Sequence, residues 1–228
     1  MKSVFKMLLF TSTVITLAGC ASDEPEETNS SGGNEDSAEF SAADRDPERT
    51  LIAYFSMPET GGTDAVAGSS RVVTEEDEVL GNTEQMAYWM EEETGAVLFQ
   101  ITTVEDYPGD HDELVEQGEE ENETNFRPEI AEQIENLDDY DTILLGYPIW
   151  VYDLPSVLYS FLEETDFSGK TIIPFNAHGG SRFGDTRETI AELQPDADVE
   201  IDNGLTISRD DVPDAQQEVL DWAQDIGY

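Results

Sequence analysis

Five apolar runs of strand length, most of them followed by a segment with helical spacing, restrict this chain to a parallel α/β sheet. The runs are Thr50–Ser56, Ala96–Ile101, Thr142–Gly146, Lys170–Phe175 and, less regularly, Val199–Ile207. None of the first four alternates apolar with polar residues, so each is expected to be buried on both faces of the sheet. Helices are expected over Thr83–Glu93, with Met86, Ala87, Trp89 and Met90 inward, and over Pro128–Leu137, with Ile130, Ile134 and Leu137 at helical spacing. Pro128 suits a first helical turn. Ser156–Glu163, Thr186–Leu193 and Val212–Ile226 complete the set. Five strand–helix units are too few for a barrel of eight. They fit a doubly wound five-stranded sheet in the order 2-1-3-4-5, with helices on both faces. In that order a ligand sits at the carboxyl ends of the first, third and fourth strands.

The chain before Thr50 has another character. Residues 1–20 read MKSVFKMLLFTSTVITLAGC: two lysines, an apolar stretch and a small-residue ending. The apolar stretch is too short for a stable transmembrane helix, which points to a cleaved signal over residues 1–19. The ending Leu17-Ala18-Gly19-Cys20 resembles the bacterial lipobox. The resemblance implies a diacylglycerol on the Cys20 sulfur, with each buried CH₂ adding about 0.8 kcal/mol of membrane affinity. A plain signal peptide or a membrane helix is the alternative. Cys20 is the sole cysteine, so neither an intramolecular disulfide nor a thiolate nucleophile is available to the folded domain. Residues 20–49 are polar and acidic without periodicity, and are expected to be a disordered tether reaching roughly 30 Å. No twin-arginine pair precedes the apolar stretch, so export in the unfolded state is expected.

Asp and Glu number 53 against 10 Lys and Arg, for a net charge of −43. Such a chain repels nucleic acid and anionic lipid, so contact with a membrane is expected through the lipid anchor alone. Lys2, Lys6 and Lys170 are the only lysines. Acid-rich and lysine-poor composition suits a protein kept soluble in concentrated salt, and a salt-loving host is expected.

Three loops follow the strands that matter. After the first comes Ser56, an insertion over residues 57–80, then Gly81-Asn82-Thr83-Glu84 opening a helix. Free backbone N–H groups and a hydroxyl at a helix start suit a phosphate dianion. On this motif alone a simple helix cap at Asn82 or Thr83 is the plainer reading. The insertion is expected to form a hairpin with Val66, Val72, Val73, Val79 and Leu80 as its apolar positions. After the third strand comes Tyr147-Pro148-Ile149-Trp150-Val151-Tyr152-Asp153-Leu154-Pro155, a stiff loop with three aromatic residues. Each ring either stacks on a planar heterocycle or covers the sheet end as core. After the fourth strand, His178-Gly179-Gly180-Ser181-Arg182-Phe183-Gly184 carries three glycines that permit close backbone approach. His178 reads equally as structural or functional, and His111 reads as a surface residue.

Together these loops resemble the flavodoxin family, over about residues 50–228. The resemblance implies a flavodoxin-like fold and non-covalent FMN. Ser56, Gly81, Asn82, Thr83 and Glu84 would surround the phosphate. Pro148, Ile149, Trp150, Val151 and Tyr152 would line the isoalloxazine, and His178, Gly179, Gly180, Phe183 and Gly184 would approach its other edge. The chain departs from the family pattern at Arg182, which interrupts the last motif, and at Asn176-Ala177, where relatives often have Cys-Thr. It also has Val151-Tyr152-Asp153 where relatives usually place a glycine whose peptide can flip; a tyrosine takes the flipped conformation only at a strain cost, which argues against a strongly stabilised semiquinone. No covalent-attachment motif is found; the nearest stretch, Asp202–Ser208, does not match. No Gly-x-Gly-x-x-Gly is present, which favours an electron carrier working with an unknown redox partner protein or a quinone. An FMN-dependent NAD(P)H:quinone-type reductase and a surface binding module that has lost FMN are the alternatives. Dense negative charge would lower the last reduction potential and steer a cationic partner.

Overall fold

The computed structural model describes residues 44–58, 71–73 and 79–228. The leader, Cys20 and most of the expected tether lie outside the described residues, as does Val66 of the insertion. In chain order the elements are β1 (Thr50–Tyr54), β2 (Arg71–Val73), β3 (Val79–Gly81), α1 (Asn82–Thr94), β4 (Val97–Gln100) and α2 (His111–Thr124). There follow β5 (Thr142–Pro148), α3 (Ser156–Glu164), β6 (Thr171–His178), α4 (Thr186–Leu193), β7 (Asp198–Val199), β8 (Leu205–Ser208) and α5 (Gln216–Asp225).

The main sheet runs β4-β1-β5-β6, with β7 and β8 both pairing on β6, and every pairing is parallel. This is the doubly wound order 2-1-3-4-5. Its fifth position is occupied by two short strands separated by a 3₁₀ turn at Ile201–Asn203, rather than by one strand over 199–207. The continuous apolar runs divide between two cores. Leu51, Ala53, Ile143, Leu145 and Ile172 pack with Val157, Leu158 and Phe161 of α3 and Ile190 of α4. Ile52, Tyr54, Leu144, Ile173 and Phe175 pack with Met86 and Met90 of α1 and Val219 of α5.

Three expectations need correction. The helix expected at 128–137 is irregular chain. Ile130 bridges Thr103, with Val104 N donating to Glu129 O at 2.9 Å and Ala131 N to Thr102 O at 2.9 Å. Ile130, Ile134 and Leu137 do pack on the core, but from irregular chain that ends in a 3₁₀ turn over Leu137–Asp139 rather than from an α-helix. The helix of this unit is α2, in the acidic stretch. There Asp110 caps Asp112 N and Glu113 N at 3.0 and 3.3 Å, and Leu114, Gly118 and Glu121 form the buried face. The second strand, β4, lies at the sheet edge and is only partly covered: Val97 is 45 % exposed. Finally, residues just before Thr50 pack on the domain. Residues 47–49 form a 3₁₀ turn, and Arg45 donates to Ile226 O at 2.6 Å and pairs with Glu200 at 2.7 Å.

Within the insertion, β2 and β3 form an antiparallel pair with Val72 opposite Leu80 and Val73 opposite Val79. β3 leads directly into the start of α1.

Candidate functional site

The carboxyl ends of β1, β5 and β6 open into one cleft of about 240 Å³. Ser56 and Met57 form its β1 wall, and Asn82 and Thr83 of α1 close one end. Pro148 through Tyr152 line a second side, and Ala177, His178, Gly179 and Arg209 a third. The remaining wall is α2, through His111, Leu114, Val115, Gly118 and Glu119.

At the α1 end, Gly81 is the N-cap, so neither Asn82 nor Thr83 caps the helix; both sit in its first turn. A Cβ on Gly81 would lie 1.9 Å from Ser56 Oγ, so only glycine lets the β1 loop approach so closely. That approach allows Ser56 Oγ to accept from Glu84 N at 3.3 Å. The Glu84 carboxylate turns back to accept from Gly81 N at 3.1 Å and from Tyr88 Oη at 3.1 Å, so it braces the helix start and does not line the cleft. Thr83 is 1 % exposed, and its Oγ1 has no hydrogen-bond partner among the described residues. A buried hydroxyl in that state is costly unless a ligand completes it.

The three rings of the second loop take three different places. Tyr147 is core, with its hydroxyl 2.8 Å from Thr186 Oγ1. Trp150 is half-buried, edge-on to Phe55 and Tyr107 with ring centroids 5.2 Å away in each case, and lines the cleft. Tyr152 is 84 % exposed at the cleft mouth. Trp150 N donates to Asp153 O at 3.0 Å and Asp153 N donates to Trp150 O at 2.8 Å, which closes a two-residue turn. Both central residues have positive φ, Val151 at 49° and Tyr152 at 66°. Type I′ turns require that geometry and normally use Asn-Gly. The Asp153 carboxylate, bonded to Leu154 N at 2.7 Å and to Tyr159 Oη at 3.0 Å, holds the turn's exit.

On the third side His178 is buried, and its Nδ1 accepts from Gly180 N at 2.8 Å. Burial, and then the nearby Arg182 charge, push its pKa below the ordinary histidine value, against an opposing pull from Asp211. Gly180, Phe183 and Gly184 do not line the cleft. Phe183 is core beneath Arg187, whose guanidinium lies 4.6 Å from its ring centroid. Arg209 was not anticipated. Its backbone N donates to His178 O at 2.8 Å, extending the β6–β8 ladder, and its guanidinium would lie 3.2 Å from a Cβ on Gly179. The α2 wall was missed because the helix itself was missed. His111, expected at the surface, lines the cleft. Among the described residues no group of His, Cys, Asp and Glu is arranged to hold a metal.

A doubly wound parallel sheet with a cleft at its switch point, walled by the start of α1 and an aromatic loop, defines a flavodoxin-like architecture. The family model described as Flavodoxin matches residues 78–224, well over half of the chain. The chain belongs to the flavodoxin family. Similar solved structures include a protein of Bacteroides uniformis assigned as a flavoprotein, at 24% identity and a TM-score of 0.55, covering 74% of this chain and 97% of that one. A second, from Bacteroides eggerthii, has 23% identity and a TM-score of 0.54, with coverage of 79% and 98%. A flavoprotein of Lactobacillus acidophilus in complex with FMN has 19% identity and a TM-score of 0.51, with coverage of 77% and 99%. At these identities the likeness is one of fold. No curated protein matches the chain.

Proposed function

We propose that the cleft holds FMN non-covalently and that the protein is a redox carrier on the outer face of a membrane, attached through lipid on Cys20. The observation that carries the FMN reading is the buried, unpartnered Thr83 hydroxyl at the first turn of α1, on the wall of a cleft otherwise lined by Ile149, Trp150, Val151 and Tyr152. Ser56, Asn82, Thr83 and the first amides of α1 receive the phosphate, which needs no lysine there. Ile149, Trp150 and Tyr152 flank the ring system, and the Gly179 backbone meets its opposite edge. Leu114 and Val115 of α2 exclude water from that side. Bound FMN supplies the electron chemistry, while the protein sets potential and access. The lipobox-like ending at Cys20 supports the anchor. Among the described residues no helix is long and apolar enough to cross a membrane.

A second reading, an NAD(P)H:quinone-type reductase, draws support from the mouth of the cleft. There the exposed Val115, Val151 and Tyr152 offer an apolar rim to a planar acceptor. The readings separate in one preparation. The full chain is loaded with FMN in concentrated NaCl, freed of excess flavin, and mixed with NAD(P)H and a soluble quinone. A carrier keeps about one FMN per chain and shows no turnover without a partner. Turnover in the pure protein contradicts the carrier reading, and a folded but colourless protein contradicts both.

A further inference from the structure

Carboxylates outnumber cations about five to one in this chain, so a cation without a carboxylate partner needs a reason. Arg45, Arg49 and Arg127 are paired with Glu200, Asp141 and Glu163. Lys170 donates to Tyr140 O at 2.6 Å and Arg187 to Ile201 O at 2.6 Å. Among the described residues, the guanidinium groups of Arg182 and Arg209 have neither kind of partner. Arg182 lies in the loop after β6 and Arg209 just after β8, but only Arg209 lines the cleft. It is held there by construction. The Arg209 N to His178 O bond fixes its backbone beside β6, and Gly179 supplies the space that a side chain would take from the guanidinium. The neighbouring His178 accepts a backbone hydrogen bond at Nδ1, as a neutral imidazole does, and so adds no charge. Glu119 is the charged residue of the opposite wall, and Asp210 and Asp211 follow Arg209 in the chain.

We propose that Arg209 sets the redox balance of the site by holding the reduced, anionic form of FMN more tightly than the oxidised form. The inference rests on the FMN reading above. Two electrons from a redox partner protein, together with one proton, place a hydrogen on flavin N5 and leave one negative charge on the N1–C2=O unit. That unit belongs to the pyrimidine edge, which in the proposed mode of binding would face the loop after β6. A guanidinium there would offset the surrounding carboxylates, whose field otherwise opposes the added charge. The acidic surface therefore governs how partners approach, and Arg209 governs the charge inside.

The test uses the full chain, oxidised FMN and dithionite-reduced FMN as ligands, and spectroelectrochemical titration near pH 8. Wild type binds reduced FMN at least as tightly as oxidised FMN. Arg209→Gln weakens binding of the reduced form about tenfold more than that of the oxidised form, which lowers the two-electron potential by about 30 mV. Arg209→Lys restores most of that loss. Arg182→Gln, outside the cleft lining, changes the ratio of the two affinities by less than about twofold. Equal weakening of both forms in Arg209→Gln, or an unchanged potential, overturns the inference and leaves the FMN reading standing. So does a wild type that binds reduced FMN tenfold more weakly than oxidised, a result that needs no variant to fold. Failure of wild type to bind FMN in either state overturns both.

Discussion

A buried hydroxyl without a partner destabilises a fold by about 1–3 kcal/mol, and Thr83 Oγ1 sits in that state at the start of α1. The site and the fold therefore place opposite demands on one residue. Thr83→Val keeps the shape and removes the hydroxyl. It is expected to raise the urea-unfolding free energy of the FMN-free protein by about 1 kcal/mol and to weaken FMN binding about tenfold, near the 1.4 kcal/mol of one hydrogen bond. Lower stability with unchanged FMN affinity would mean that the hydroxyl serves the fold instead. Asn82 and Thr83 stand out as polar residues opening a helix, but cap and ligand site look alike until Gly81 is found to be the cap. Arg209 gave no signal, because one arginine near Asp210 and Asp211 reads as an ion pair. Only the β6–β8 ladder brings it beside Gly179.

At the scale of elements, the turn at Trp150–Asp153 is built from residues poorly suited to it. Val151 and Tyr152 both hold positive φ, at about 1–3 kcal/mol each. The paired Trp150–Asp153 hydrogen bonds and the anchored Asp153 carboxylate keep them there. The double substitution Val151→Asn with Tyr152→Gly supplies the residues that a type I′ turn prefers. It is expected to raise unfolding free energy by about 1–3 kcal/mol while weakening FMN binding, because the ring at the cleft mouth is lost. A destabilised double variant would show that the turn is not strained. The parallel strands were legible because two-sided burial demands unbroken apolar runs, and α1, α3 and α4 because their apolar faces are well formed. The acidic helix α2 was not, since the few residues it buries are Leu114, Gly118 and Glu121. Its readable sign was Asp110 placed as an N-cap ahead of Asp112 and Glu113. The 128–137 stretch misled for the converse reason: Ile130, Ile134 and Leu137 have helical spacing, but pairing with residues 102–104 satisfies the backbone. With α2 unread, one wall of the cleft was unread too.

Over the whole molecule, charge is the governing term. A chain with 53 acids and 10 Lys and Arg repels itself in the folded state. Its exposed pairs, Arg49–Asp141 and Arg127–Glu163, offset little of this, because such pairs contribute about 0–1 kcal/mol. Raising ionic strength from about 0.1 M to about 1 M shortens the screening length from ~10 Å to ~3 Å. The thermal midpoint of the full chain is expected to rise across that range by several degrees, measured by calorimetry. A flat or falling midpoint would contradict self-repulsion as the limit on stability. The same screening makes high salt the proper condition for loading an anionic cofactor. The most direct measurement is a parallel titration of the full chain with FMN and with riboflavin in about 1 M salt, following flavin absorbance and tryptophan fluorescence. One-to-one binding of both is expected, with quenching from Trp150, and FMN tighter by at least about tenfold, or 1.4 kcal/mol. Equal affinity for the two flavins would contradict a phosphate site at the start of α1, and no binding of either would contradict the flavin site itself.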